Sequence, residues 1–279
     1  MSRTHLYPGD PGLFGPGSVS WKVMGDVSSF VGGVRALLLQ ALHPEVAAGV
    51  ADHSQYEKDP LGRLNRTSLF VTTANYGSMP EVEAAVRIVR EAHKPVSGTS
   101  ERGIRYSANQ PQLGAWVHNT LTDSFLEAYQ TFCQGLTAQE ADQFVQEQAK
   151  IGELLGVAEL PLTASDLRNW VTEHPSLGDS EALRSAWDFL RKPPLQAGQL
   201  LGYKVVRAAA VATLPTELAQ LAGTSSRRGA VVGGQCIVSS LRWAMKHSPA
   251  WKAALDRCGA SYDATKFRSF EEPSPTEDH

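Results

Sequence analysis

The stretch SSFVGGVRALLLQALH, residues 28–43, is apolar on nearly every side when wound as a helix. Such a helix cannot lie on a surface. Every side needs a covering element, so the chain must wrap around it. Pro44 ends or kinks this helix just after His43.

The remaining sequence supplies covers of the same kind. Asp59-Pro60 opens a helix through LGRLNRTSLFVTTANY, with Gly77 as its stop. Ser78 followed by Glu81 forms a capping box with Pro80 in the first turn, predicting a helix from Met79 to His93 that Pro95 prevents from continuing. Pro111 starts a long helix closed by Gly135, and a second box, Thr137 with Glu140, opens one ended by Gly156. Six further helical segments follow, from ASDLRNWVTE to AWKAALDRC, separated by prolines and glycines. No run of alternating β-branched residues is convincing, so the expected fold is all-α, a single multi-helix domain over residues 1–265. The acidic, proline-bearing residues 266–279 are expected to be a disordered tail.

Composition excludes several functions. A net charge of −3 lacks the positive excess that a nucleic acid attracts. Three widely spaced cysteines, Cys133, Cys236 and Cys258, build neither a disulfide framework nor a zinc knuckle, and read as buried thiols of a reducing compartment. The first 18 residues carry no apolar leader core and no twin arginine, and no later window is a membrane span, so a cytoplasmic location is expected.

Motif chemistry narrows the field further. The chain has no P-loop, no G-x-S-x-G and no H-E-x-x-H. No histidine lies three residues after a glutamate, which disfavours a di-iron bundle, and no C-x-x-C-H is present for covalent haem attachment. What remains is a group in the first half: His43, His53, Arg63, Arg66, Thr67, Arg90, His93 and His118. Val82, Val86 and Val89 precede His93 at helical spacing, so its imidazole continues an apolar stripe and is expected to face the core, with Arg90 on a neighbouring flank. A neutral imidazole there suits a haem axial ligand, and equally suits a hydrogen-bonded core histidine or a helix C-terminal cap. Arg63, Arg66 and Thr67 at i, i+3 and i+4 form one polar patch, which could serve a bound oxidant or be a solvated face. His118, mid-helix, is the rival axial ligand, while His43 and His53 read as residues at helix ends.

Six stretches in order, GPGSVSWKVMGD, LLLQALHPEVAAGVADHS, RLNRTSLFV, RIVREAHKPVSG, YSANQPQLGAWVHNTL and IGELLGVAELPLTASDL, resemble the oxygenase family named for MpaB, which shares its catalytic domain with the rubber oxygenase, latex-clearing protein. The resemblance spans roughly residues 11–215. It implies a globin-related helical fold that binds haem b through one histidine and cleaves carbon–carbon double bonds with dioxygen. The family's R-x-x-H falls on Arg90 and His93, making His93 the implied iron ligand. Its distal R-x-x-K-T falls on Arg63, Arg66 and Thr67, with Arg66 standing where the family has lysine. Lysine can exchange its proton near neutrality whereas arginine only donates, so proton transfer by that group is not implied here.

The expectation is therefore a haem-dependent oxygenase acting on an apolar, unsaturated small molecule, with His93 bound to iron. Arg66 and Thr67 would lie on the distal side, and Arg63 and Arg90 would orient propionates or the ligand histidine. The leucine-rich central helix is expected to wall the pocket. The alternative is a haem-binding sensor or carrier without turnover, distinguished by a second axial ligand.

Overall fold

The computed structural model describes residues 7–54, 60–225, 229–245 and 248–260. Residues 266–279, expected to be a tail, lie outside them. The first helices are α1 (Val19–Met24), α2 (Ser29–Gln40), α3 (Pro44–His53), α4 (Pro60–Tyr76) and α5 (Met79–His93). A hairpin of β1 (Ser97–Thr99) and β2 (Arg105–Ser107) precedes α6 (Pro111–Phe132), α7 (Ala138–Leu155) and α8 (Ala164–Thr172). Then come α9 (Glu181–Arg191), α10 (Ala197–Ala212), α11 (Thr216–Leu221), α12 (Ala230–Met245) and α13 (Pro249–Arg257). The protein is all-α apart from the hairpin.

The central-helix expectation holds for α2. Leu38 and Leu39 are fully buried, and α2 runs along α6, the longest described helix. Gly32 permits that approach, because a Cβ there would lie 2.8 Å from the Phe125 ring and 3.0 Å from the Ser124 carbonyl oxygen. Leu38 and Leu39 belong to the packed core. Arg35, also fully buried, donates from Nη1 to Asp123 Oδ2 at 2.6 Å and to Ser124 Oγ at 2.9 Å, and from Nε to the Thr213 carbonyl at 3.2 Å.

Four features were not anticipated. Helix α1 is a separate short element, and Pro44 opens α3 as its first residue instead of merely ending α2. The antiparallel hairpin pairs Ser97 with Ser107, and the buried Tyr106 ring lies over Gly98, where a Cβ would come 2.5 Å from the phenol oxygen. The cysteines are free, as expected, but not buried: Cys236 is exposed and Cys133 and Cys258 are half-buried. Among the described residues, no helix is long and apolar enough to cross a membrane.

Candidate functional site

Helices α4 and α5 meet at Gly77-Ser78, and this corner is fastened from every side. The capping box is present, with Glu81 accepting from the Ser78 backbone at 2.9 Å. Asp10 accepts from Met79 N at 2.8 Å, Arg257 donates to the Tyr76 carbonyl at 2.8 Å, and Trp21 Nε1 donates to the Asn75 carbonyl at 2.7 Å. Gln148 of α7 bridges Ser20 and Asn75, both at 2.9 Å. Phe14, Trp21, Ala74, Tyr76, Ile151 and Trp251 make a second small core beneath it. Buried polar groups this fully satisfied hold their geometry.

Away from the corner both helices emerge into solvent. Along α4, Ala74 is 1% exposed, whereas residues 64–69 are exposed, including Leu64 and Leu69. Arg63, Arg66, Thr67, Phe70 and Ala74 fall within a narrow arc at helical spacing, so the polar patch prolongs the face that is buried nearer the corner. Along α5 the stripe behaves likewise: Val82 is 1% and Val86 7% exposed, Val89 is half-buried and His93 is exposed. The stripe is buried at Val82 and Val86, but His93 does not reach the core, because among the described residues no element covers that end of α5.

Partial desolvation of its ring by neighbouring protein atoms nonetheless lowers the His93 pKa below the ordinary histidine value. His93 is a solvent-exposed imidazole whose neutral form is favoured. Counting about 1.5 Å of rise per residue from the corner, Thr67 stands at roughly 14 Å and Arg63 at roughly 20 Å along α4, and Arg90 at roughly 17 Å and His93 at roughly 21 Å along α5. The two motifs thus stand at comparable distances from the corner, each along its own helix. Arg63 and Arg66 are engaged by neighbouring groups. Arg90 Nη2 lies 3.8 Å from where a Gly156 Cβ would stand, at the left-handed C-cap of α7 and therefore near the negative pole of that helix.

His118 has a different environment. It is 7% exposed and wedged against α7, where a Cβ on Gly152 would lie 3.2 Å from its Nε2. Burial drives its pKa down to about 4, partly opposed by a hydrogen bond to the Gln148 carbonyl. His43 is the N-cap residue of α3, and His53, in the last turn of α3, has Nε2 2.9 Å from the Ser97 carbonyl oxygen. Both histidines at helix ends are as read. Burial also lowers His43 to about 4, with Glu45 opposing.

These two values fix a pH prediction. A histidine that titrates near 4 when folded and 6.5 when unfolded binds fewer protons in the native state, so its stabilising contribution is full above pH 6.5 and lost as pH falls toward 4. The urea midpoint should drop steadily through that window, before most carboxylates protonate. A midpoint that is flat from pH 6.5 to 4.5 would contradict the buried neutral state of both rings.

Comparison with curated proteins finds no match, and comparison with solved structures finds none either. The family described as "ER-bound oxygenase mpaB/B'/Rubber oxygenase, catalytic domain" matches residues 21–246, a span that contains the α4–α5 corner, both arms and α7, while Asp10 and α13, which also fasten the corner, lie outside it. The chain belongs to the MpaB/rubber oxygenase family.

Proposed function

We propose that the protein is a haem b-dependent oxygenase that acts with dioxygen on an apolar, unsaturated small molecule. The observation that carries this reading is the pair of arms leaving one rigid corner, with a solvent-reached imidazole of favoured neutral form on α5 and a basic, hydroxyl-bearing patch on α4. The donor set fits the group. One neutral imidazole and three guanidinium groups suit a metal that brings its own ring ligands and anionic carboxylates, and do not suit a bare ion. Among the described residues no three His, Cys, Asp or Glu side chains come together as a metal-binding group.

Bound haem would supply the dioxygen and electron-transfer chemistry that amino-acid side chains lack. His93 would hold the iron through a ring nitrogen that does not first have to lose a proton at pH 7. Arg63 and Arg90 would face the propionates, and the several donors of Arg90 allow this while one nitrogen stays near the α7 C-terminus. Arg66 and Thr67 would donate hydrogen bonds on the opposite side, and arginine in that position orients without acting as a base. Leu64 and Leu69, 52% and 67% exposed on the same arm, supply apolar surface that an alkene would cover.

The test is an absorption spectrum of freshly purified protein, with and without dithionite, followed by an oxygen-electrode panel of apolar alkenes against sugars, nucleotides and amino acids. The expected result is a Soret band, oxygen uptake with at least one alkene, and none with the polar panel. Arg66→Ala should keep the Soret band and lose about tenfold or more of the uptake, and Arg66→Lys should recover part of it. Protein that cannot be reconstituted with haemin overturns the proposal. So does a six-coordinate bis-histidine ferrous spectrum indifferent to oxygen, which would identify a carrier.

A further inference from the structure

A cavity of about 700 Å³ opens between α3, the hairpin, the start of α6 and α8, and none of Arg63, Arg66, Thr67, Arg90 or His93 lines it. Its inner wall is aromatic. The Trp170 ring stands edge-on to His174 at 4.7 Å between centroids, with Trp116 behind His174 at 4.9 Å and His43 at 5.4 Å. Glu159 borders the same space, and its Oε2 accepts from Trp170 Nε1 at 3.2 Å.

Two details set this wall apart from ordinary surface. Glu159 is the one non-glycine residue with positive φ, at 55°, among those described, and it is held there by Asn119, which donates to its carbonyl at 3.1 Å. A side-chain-bearing residue is costly in that conformation. It is kept in a place that fixes a carboxylate against an aromatic ring. His43, 4% exposed, lines the cavity with a buried Nδ1 that makes no hydrogen bond. That atom is 3.3 Å from Glu45 Oε2 but not aligned for a bond, and the Glu45 carboxylate is already taken by Arg102 at 2.6 Å and Ser100 at 2.8 Å. A buried polar atom in this state is uncommon, and a water molecule or a ligand hydroxyl in the cavity would satisfy it.

The charge balance says what kind of partner. With Arg102 committed to Glu45, the remaining carboxylates around the cavity are Glu159, Asp166 and Glu173, against Arg105 alone. We infer that this cavity binds a small organic cation, an alkylated ammonium group seated on the Trp170 and His174 rings beside the Glu159 carboxylate. Ring faces and a nearby carboxylate are the two features that recognise a weakly hydrated cation, and an anion would meet net repulsion here.

The probes are choline and its uncharged carbon isostere 3,3-dimethylbutan-1-ol, titrated into the full-length protein by calorimetry and tryptophan fluorescence. Choline should bind saturably in the millimolar range, and the isostere about fivefold or more weaker. Glu159→Gln keeps an oxygen for Trp170 while removing the charge, and should weaken choline about fivefold and leave the isostere unchanged. Trp170→Leu should abolish choline binding, with a circular dichroism spectrum like that of the parent protein. Equal binding of the two probes, no saturable response to choline, or a Glu159→Gln variant that binds choline like the parent overturns the inference.

Discussion

His93→Ala should purify folded and without a Soret band, and free imidazole added to it should restore haem binding. The side chain is exposed, so its loss should change the stability of the haem-free protein by only about ±0.5 kcal/mol. Depletion of haem could then not be ascribed to unfolding. His118→Ala should behave in the opposite way. That ring fills the space between α6 and α7 against Gly152, and truncating it leaves a cavity costing about 2–4 kcal/mol, while the folded fraction keeps its haem. Urea midpoints and haem-to-protein absorbance ratios for both variants separate the two roles. Full haem retention in His93→Ala, or a folded His118→Ala without haem, would reverse the assignment.

Why one histidine is exposed and the other wedged was only partly legible in the sequence. Local chemistry read well: the capping boxes at Ser78 and Thr137 set helix starts that the structure reproduces at Met79 and Ala138, because the signal and its effect lie within four residues. Helical period likewise gave the buried face at Val82 and Val86, but not at His93, which is exposed. It could not say where cover stops, since that depends on which helix from elsewhere in the chain lies alongside. The same reason hid the ring cluster at the cavity, built from residues 43, 116, 170 and 174 on separate elements. Strands of three residues, one of them SGT, are too short to alternate, so the hairpin gave no periodic signal.

One strong signal in the sequence was passed over, and it leads to the second large effect. Arg35 stands in a helix with apolar sides all round, where a lone guanidinium cannot be buried without an anion, so its presence alone implied a buried acid. The acid is Asp123, 2% exposed, which also accepts from Arg168 Nε at 2.9 Å. Asp123→Ala should therefore cost about 3–5 kcal/mol, most of it from Arg35, whose side chain is fully buried and whose Nη2 already lacks a partner. Arg168 adds little, because it is one-third exposed and keeps its ion pair with Glu127. Replacing both members, Arg35→Met with Asp123→Leu, should recover much of the loss, since the penalty comes from stranding one charge and not from the absence of the pair. Urea unfolding of the two single variants and the double variant measures this directly. A cost for Asp123→Ala below about 1 kcal/mol would mean that water reaches Arg35. The pair fastens α2 to α6 and, through Arg168, to α8, whereas His93 and Arg66 hang from the corner held by Trp21, Gln148 and Arg257. Haem affinity of whatever fraction remains folded should accordingly match the parent protein, so that stability and cofactor binding fail independently when the two regions are altered.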